Sequence, residues 1–570
     1  MSDTLTFAGM YLRILVAAVV LCCGAPLSLA ADAVCDLLNT HISSDLTVYE
    51  FDTATDVAPL AGSYQLGTVT IVRQNIFQSE ERWYEGLANR FHVVTRDHVL
   101  ASILPFTKGD TVDQRLLDEA ERILRAKPYL FDARIITRQI CGDRLDLDVV
   151  VRDVWTLNPR ISLSRSGGEN QTSLGIGDIN LLGFGKRVDV GYRKNEDRSG
   201  FSMTFEDPNI ANTRWTGHAI FSDNDDGDFY RFGLERPFYA LDAHTAGGGR
   251  AEQFERIEPL YFLGERLDEF GAESRSASVY AGFSNGIIGT VVNRWVAGLR
   301  YQQEQFDYMP GYAYERAEDR KYVYPFVGYE RIKTVYVKRE NLDRIKTLED
   351  VNLGSRLNLT LGWSAEQFGG KGDHLVADGS YSKTAIISDR QIVSVNAWLD
   401  GFYDLDTHDF ENLYASAVLS YHFNQRERLS FFARASYTYA DGLTPDQQLL
   451  LGGLEGLRGY PNRYQAGDRR FLVTLEQRYY SDIYPFQMFR LGAALFADIG
   501  RAWFVDDRPE WHPGGSDDPF GVLTDVGIGL RMESTRTRRD RVLHFDVAFP
   551  LNDGPGVRSV EVTITAKSSL

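Results

Sequence analysis

Residues 525–533 read Asp525-Val-Gly-Ile-Gly-Leu-Arg-Met-Glu533, and the apolar and polar side chains alternate throughout. Such a period of two is typical of a β-strand with one face against apolar surroundings and the other toward water. The same alternation recurs in residues 351–363 and 429–439, and segments broken by Gly, Asn and Asp continue it from residue 155 to the end. The sequence therefore predicts an almost entirely β structure after residue 155.

The polar faces of these segments carry many charges, which decides between a soluble sandwich and a barrel. A sandwich core would have to remove these ions from water at a large desolvation cost, whereas a water-filled barrel lumen can hold them. We predict a 16-stranded antiparallel transmembrane β-barrel over residues 154–570, although 14 or 18 strands also fit the pattern. The charged residues on the polar faces include Arg187, Asp189, Glu206, Arg356, Arg434, Glu476 and Arg531.

The composition excludes two other classes of protein. Hydrophobic residues make up 43% of the chain and the mean hydropathy is -0.27, which is too polar for a bundle of membrane helices. The net charge of -18 argues against nucleic acid as a partner, because binding to phosphates requires clustered cations. The aromatic content of 12% suits the girdles of a membrane barrel.

The N-terminal part is predicted to contain an export signal, a linker and one small domain. Arg13 precedes an apolar run over residues 14–23 and Ser28-Leu-Ala30 follows, so residues 1–30 are predicted to be a signal peptide, with Met10 as an alternative start. Residues 31–63 show no periodicity and are predicted to be a linker. Residues 64–153 are predicted to form an α/β domain with helices at 79–91, 97–104 and 111–126 and a hairpin over 132–151.

The sequence offers no clear catalytic or metal-binding constellation. Cys22 and Cys23 leave with the signal peptide, and Cys35 and Cys141 are then a candidate disulfide, although two free thiols fit the sequence equally. No Cys/His group has metal-ligand spacing, and the glycine pairs lie in strands rather than before a helix. We expect no enzyme activity, no metal and no cofactor.

Three motifs near the C-terminus occur in a specific order. They are Leu454-Glu-Gly-Leu-Arg-Gly-Tyr460, Leu475-Glu-Gln-Arg-Tyr479 and Phe496-Ala-Asp-Ile-Gly-Arg-Ala-Trp503. Together with residues 178–186, 205–209 and 544–551, they resemble the BamA/TamA-type superfamily of outer-membrane assembly factors, also called bacterial surface antigens. The resemblance spans roughly residues 64–570, and the domain at 64–153 looks like a single POTRA domain.

The resemblance implies roles for particular residues. In that family an Arg-Gly-Tyr/Phe sequence lies at the tip of a long extracellular loop folded back into the barrel. Arg458, Gly459 and Tyr460 would then form this lumen motif, with inner-wall partners Asp498, Glu476, Phe496 and Gly500. The alternation independently directs Asp498 and Glu476 toward the lumen. The alternative is that Arg458 lies on a surface loop and the carboxylates pair with other arginines.

The function implied by the resemblance is assembly, insertion or translocation of polypeptides at the bacterial outer membrane, with the POTRA-like domain in the periplasm. A seam between the strand around residues 174–190 and that at 557–567 is expected to open laterally. Expected partners are unfolded outer-membrane or secreted polypeptides, the lipid bilayer, and periplasmic chaperones or accessory subunits. A two-partner-type secretion pore for a dedicated exoprotein and a passive porin or structural barrel are the alternatives.

Overall fold

The computed structural model describes residues 35–38, 46, 51, 58–77, 82–342, 344–345, 348–505, 521–536 and 542–567. The predicted signal peptide and part of the predicted linker lie outside the described residues. The described residues form an N-terminal α/β domain followed by a β-barrel. Their helices are all too short or too polar to cross a membrane.

The N-terminal domain is a five-stranded sheet in the order β1-β4-β5-β2-β3, with β2 parallel to β5 and antiparallel pairing elsewhere. Its longest helix begins where the Asp113 side chain accepts a hydrogen bond from the Leu116 N–H, and it buries Leu117, Ala120 and Leu124 against the sheet. The elements are β1 (Cys35–Leu37), β2 (Tyr64–Gln74), α1 (Trp83–Phe91), α2 (Asp97–Ile103), β3 (Thr111–Val112), α3 (Gln114–Arg125), β4 (Leu130–Cys141) and β5 (Arg144–Asp153).

Part of the predicted linker belongs to this domain. The edge strand β1 pairs with β4, and Cys35 lies opposite Cys141, to which it is joined by a disulfide. Leu46 and Phe51 pack with Ile136 on the face of the sheet opposite the helices. Residues 31–63 therefore supply structural parts as well as a connection.

The barrel contains 20 antiparallel strands, so the predicted number of 16 is wrong. Single turns of 3₁₀ helix lie in three connections, at Leu181–Gly183, Glu366–Phe368 and Pro485–Gln487. The wall strands are β6 (Leu157–Ser166), β7 (Glu169–Asp178), β8 (Arg187–Lys194), β9 (Ser199–Ile210), β10 (Trp215–Asn224), β11 (Gly227–Arg236), β12 (Thr245–Phe262), β13 (Glu265–Ile288), β14 (Val291–Asp307), β15 (Arg320–Lys333), β18 (Ser355–Ser364), β19 (His374–Ser388), β20 (Gln391–Asp404), β21 (Phe410–Arg426), β22 (Leu429–Asp441), β25 (Arg469–Tyr480), β26 (Phe489–Trp503), β27 (Leu523–Ser534), β28 (Val542–Pro550) and β29 (Glu561–Lys567).

Tight turns explain the larger strand number. A barrel of 16 strands would use about 26 residues for each strand and its connection, which assumes one long loop in every hairpin. Several hairpins instead close over two residues, including Gly167-Gly168, which both have positive φ. The same length of chain therefore makes more strands.

We call the end of the barrel beside the N-terminal domain proximal and the other end distal. At the proximal end the hairpin of β16 (Tyr336–Glu340) and β17 (Leu348–Asn352) leaves the wall, and we call this hairpin the strap. Residues 351–363 therefore do not form the single strand that their alternation suggested. At the distal end residues 442–468, with β23 (Leu449–Leu451) paired to β24 (Gln465–Gly467), form the distal loop.

The barrel closes between its first and last strands, β6 and β29. Among the described residues a single register pair, Ile564 opposite Arg165, joins them. The neighbouring β28–β29 pair is continuous from Val542 opposite Lys567 to Ala548 opposite Glu561. The expectation that the seam strand lies around residues 174–190 is wrong, because those residues belong to β7, β8 and their connection.

Candidate functional site in the barrel lumen

Arg458 lies inside the barrel, where it is only 3% exposed. Its Nε and Nη2 atoms donate to the two carboxylate oxygens of Asp498 on β26, at 2.7 and 3.0 Å. This bidentate contact uses the planar fork that only an arginine offers, and two parallel bonds fix the orientation of the side chain. The distal loop is therefore attached to the inner wall at this point.

Two more carboxylates and an aromatic ring surround the same guanidinium. Nη1 of Arg458 donates to Glu476 Oε1 at 2.9 Å and to Asp546 Oδ2 at 3.3 Å. The ring of Phe496 lies beneath the guanidinium, with 3.4 Å between Cζ and the ring centroid. Such a stack favours the cation because the ring face is electron-rich.

The contacts continue into a larger buried cluster, which we call the lumen cluster. Arg478 donates to Glu476 Oε2 at 2.8 Å, and Arg531 contacts both Glu476 and Asp546. Three arginines thus meet three carboxylates away from bulk water. A fourth buried carboxyl group, that of Asp525, lies beside Asp498, and removal of one partner of an ion pair here would leave a buried ion without its partner, which is costly.

Strand alternation places these groups on the inner wall. In β26 Phe496, Asp498 and Gly500 are buried, whereas Ala497 and Ile499 between them are half-buried and the preceding Leu495 is exposed. Asp498 faces Thr474 of β25 and Asp525 of β27 in the register, so neighbouring strands bring their lumen-facing residues to one level.

Gly459 and Tyr460 bind the loop to the wall in different ways. The Gly459 N–H donates to Asp525 Oδ2 at 3.0 Å, and a Cβ on Gly459 would lie 2.7 Å from the Cβ of Asp525. The φ of Gly459 is outside the left-handed region, so it is the close approach to the wall that requires glycine here. The buried Tyr460 hydroxyl donates to Thr524 O at 2.8 Å and contacts Asn552 Oδ1 at 2.9 Å.

Gly500 lies further along the wall than Arg458. A Cβ there would be 3.2 Å from a Leu451 methyl carbon of β23 and 3.0 Å from Phe471 O. Gly500 therefore makes room for the short hairpin of the distal loop.

Sequence reasoning missed two contacts of the distal loop. Asp546 was not named as a partner of Arg458, although it shares the buried face of β28 with His544 and Ala548, and this alternation could have found it. Arg463 also binds Asp197 in the β8–β9 connection, with Nη2 to Oδ2 at 2.6 Å. No sequence motif indicates the contact between Arg463 and Asp197.

The strap crosses the proximal mouth from the opposite side of the barrel. It leaves the wall between β15 and β18, the tenth and eleventh wall strands, and its tip reaches β25–β28. Arg344 Nε donates to Glu533 Oε1 at 2.7 Å, and the Ile345 N–H donates to Glu533 Oε2 at 2.7 Å. Ile345 is fully buried between Tyr480 and Val542.

The outer surface of the strap binds helix α3 of the N-terminal domain. Arg125 donates to both carboxylate oxygens of Asp350 at 2.8 and 2.9 Å, and Lys338 Nζ lies 3.2 Å from Glu121 Oε2. Burial raises the pKa of Glu121, but the charges of Arg125 and Lys338 and the Ile135 N–H outweigh it, so the pKa lies below its usual value. The domain, the strap and the barrel wall are thereby joined by ion pairs that are partly or fully buried.

No group of three or more His, Cys, Asp or Glu residues in the described ranges could hold a metal ion. The lumen cluster also brings together arginines and carboxylates without an activated nucleophile beside a base. Its chemistry is the making and breaking of ion pairs between a loop and a wall.

Several solved outer-membrane proteins are similar to this chain at low sequence identity. Among solved structures, BamA from Haemophilus ducreyi lacking POTRA domains 1–3 is 13% identical, with 88% of this chain and 84% of that chain covered and a TM-score of 0.38. CdiB from Acinetobacter baumannii is 13% identical, with 88% and 73% covered and a TM-score of 0.41. CdiB from Escherichia coli is 12% identical, with 92% and 94% covered and a TM-score of 0.37.

No curated protein sequence matches the chain. A family description, the Omp85 superfamily domain, matches residues 180–565, which is more than half of the chain and nearly the whole barrel. This match confirms the resemblance that the C-terminal motifs indicated. The chain therefore belongs to the Omp85 superfamily, and its large barrel is located in the bacterial outer membrane.

Proposed function

We propose that this protein inserts or translocates polypeptides at the outer membrane and that its own distal loop and strap close the lumen at rest. Membership of the Omp85 superfamily supports insertion or translocation in general. A gated lumen is supported by one observation. The distal loop enters the lumen from one end of the barrel, and the strap crosses the other end. A passive porin would need an open channel instead.

The lumen cluster suits a reversible gate. When the distal loop withdraws, it takes one positive charge away and leaves Arg478 and Arg531 with three carboxylates. The free-energy cost of withdrawing the loop is moderate if water or a basic client segment enters as the loop leaves, because either one replaces Arg458 as a partner of the wall carboxylates. Translocation and rehydration of the lumen are therefore coupled in this proposal.

The seam between β6 and β29 is the proposed path into the bilayer. A barrel must satisfy all its backbone hydrogen bonds in lipid, so a weakly paired seam is the place where a client strand can add with least loss. Client strands would pair with the exposed backbone of β6 or β29, and client folding would supply the free energy. No nucleotide and no enzymatic step are needed.

The N-terminal domain is proposed to be a periplasmic POTRA domain that receives extended clients. Its strand β3 pairs only with Tyr64 and Gln65 of β2 within the described residues. Leu66 bonds Gly109 and Asp110 through its backbone, and beyond it that edge of β2 offers backbone groups for strand addition. Periplasmic chaperones or accessory subunits that deliver unfolded chains are proposed partners of the same domain.

Secretion of a dedicated exoprotein through the lumen is the second candidate. Barrels of 16–18 strands already leave an aqueous channel, and this wall has 20. With the distal loop and the strap displaced, an extended polypeptide would pass without opening the seam.

A cross-linking experiment separates the two candidates. The register partners Arg165 and Ile564 are replaced together by cysteine and oxidised, and the matched control is the pair Val547→Cys and Val562→Cys across the continuous β28–β29 ladder. We expect the seam cross-link to stop insertion of a client barrel into proteoliposomes and the control to leave it unchanged. Undiminished insertion through a cross-linked seam would show that the lateral path is wrong, and secretion that persists would favour the lumen path.

A further inference from the structure

Helix α1 presents its polar side to the protein and its apolar side to the outside. The Glu85 side chain is 1% exposed and accepts a hydrogen bond from the Arg82 N–H. Asn89 exchanges two hydrogen bonds with the backbone of Phe77, and His92, which follows the helix, contacts Asp153 through Nε2 at 3.3 Å. The polar contacts of α1 with its own domain therefore lie on one side.

The opposite side carries three large apolar side chains at intervals of four residues. Trp83 is 80% exposed, Leu87 46% and Phe91 68%. Residues four apart lie on one face of a helix, so the three form a continuous stripe. A stripe of this kind on a small domain indicates a contact surface, because solvent does not favour it.

Contacts to the barrel fix α1 at the proximal rim. The Tyr84 hydroxyl donates to Phe486 O at 3.2 Å in the β25–β26 connection. In the β27–β28 connection Arg536 donates to Ile76 O at 3.0 Å, and it also bonds Gln487 O at 3.0 Å. These two connections belong to strands close to the seam, so α1 lies under the seam side of the barrel.

The rim beside α1 is itself apolar. Phe486 is 65% exposed and Ile483 is 64% exposed in the connection that Tyr84 contacts. The apolar stripe of α1 thus continues the lipid-facing surface of the wall past the end of the strands. Arg82 and Arg90, both exposed, flank the stripe with positive charge.

We propose that the α1 stripe (Trp83, Leu87 and Phe91) lies in the interfacial region of the membrane leaflet at the proximal end. Tryptophan and phenylalanine favour this depth, and exposed arginines can extend from it to lipid phosphates. The occupant of the stripe is therefore lipid. This anchor holds the N-terminal domain against the bilayer beside the seam, and it does not depend on which client the protein handles.

Fluorescence of the full-length protein in phosphatidylethanolamine/phosphatidylglycerol liposomes tests the proposal. Leu87→Cys carries an environment-sensitive label, and the matched control label is on Lys108→Cys, at another exposed position of the same domain. Cys35 and Cys141 do not react because they form a disulfide, and Cys22 and Cys23 are replaced by serine in every variant. We expect the label at 87 to shift to shorter wavelength, to lose intensity with lipids nitroxide-labelled near the headgroup, and to resist aqueous iodide.

The label at 108 should show none of these effects. A label at 87 that iodide reaches as freely as it reaches 108, and that no nitroxide lipid quenches, would overturn the proposal. Protection at 87 that appears only after an unfolded polypeptide is added would assign the stripe to clients and would also overturn it. Phe91→Cys repeats the measurement in case Leu87→Cys does not fold, and heat-modifiable gel mobility confirms that each variant has a closed barrel.

Discussion

Arg458→Ala should release the distal loop from the inner wall. The wild-type side chain makes a bidentate contact with Asp498 and a further hydrogen bond to Glu476, all away from water. Alanine removes the only member of the lumen cluster that belongs to the loop. The carboxylates on the wall then keep their charge but lose part of its compensation.

The size of the effect follows from the burial of both partners. The Arg458 side chain is 4% exposed and that of Asp498 is 0% exposed. Removing one partner of a buried ion pair costs about 3–5 kcal/mol, and each 1.4 kcal/mol is a factor of ten in an equilibrium constant. The docked loop should therefore be weakened by roughly two to four orders of magnitude relative to the undocked loop.

Single-channel recording in planar bilayers measures this change. We expect the wild type to give small, flickering openings and Arg458→Ala to give larger and longer ones. Arg458→Lys is the matched control, since it keeps the charge but loses the planar fork, and it should fall between the two. The double-mutant cycle of Arg458→Ala with Asp498→Ala should show a coupling of about 0.5–3 kcal/mol.

If Arg458→Ala conducts like the wild type while the protein remains a closed, heat-modifiable barrel, Arg458 does not hold the distal loop in the lumen. A double-mutant cycle without coupling would likewise exclude the contact between Arg458 and Asp498 as the source of the effect. A lysine variant equal to the wild type would show that charge alone holds the loop and that the bidentate geometry is irrelevant.

Three further predictions concern the N-terminal domain. Arg125→Ala should weaken its docking on the strap by about 3 kcal/mol, which limited proteolysis would detect as faster cleavage of the domain. Burial raises the pKa of Glu121, but the charges of Arg125 and Lys338 lower this pKa by more than burial raises it, so it lies below its usual value of 4.5. Its contribution to stability is therefore present above about pH 4.5 and lost as the pH falls through the folded pKa, so protease resistance should decrease in acid in the wild type and less in Glu121→Gln. Burial raises the pKa of Glu119, whose protonation favours the folded state, so Glu119→Gln should not reduce the acid sensitivity. Cys141→Ser opens a cross-link between residues 106 apart and should lower the free energy of unfolding by about 4.7 kcal/mol, measured as a lower denaturant midpoint for the domain.

Alternation predicted the faces of the barrel strands but not their number. In β27, Val526, Ile528 and Leu530 are exposed on the outside while Asp525 and Arg531 are buried inside. The period of two fixes which face a residue occupies, and a turn of two residues does not interrupt it enough to be seen. The estimate of 16 therefore rested on an average length of chain per strand, which hairpins as short as that at Gly167-Gly168 reduce.

The partners of Arg458 could be found in part. Asp498 and Glu476 follow from the family motifs and from alternation, and the structure places both in contact with Arg458. Asp546 could not be ranked above other lumen carboxylates, because its level in the barrel depends on the register of β27 with β28. Register is set by turn geometry and packing, which the sequence pattern does not specify.

The orientation of α1 could not be predicted from the sequence either. A helix over residues 79–91 was expected, and α1 occupies residues 83–91. Its amphipathic pattern is the same whether the apolar side faces in or out, and only the contacts of Glu85 and Asn89 decide between the two.

The ion pairs of this protein differ in the length of chain that each one closes. Arg458 reaches Asp546 across 88 residues, Arg344 reaches Glu533 across 189, and Arg125 reaches Asp350 across 225. Because contacts between distant residues form more slowly, we expect biogenesis to begin with the C-terminal hairpins, which already contain the distal loop and its carboxylate partners. The growing barrel would thus contain its distal loop early. An incomplete barrel would then pass few solutes while the hairpins nearer the N-terminus are still being added.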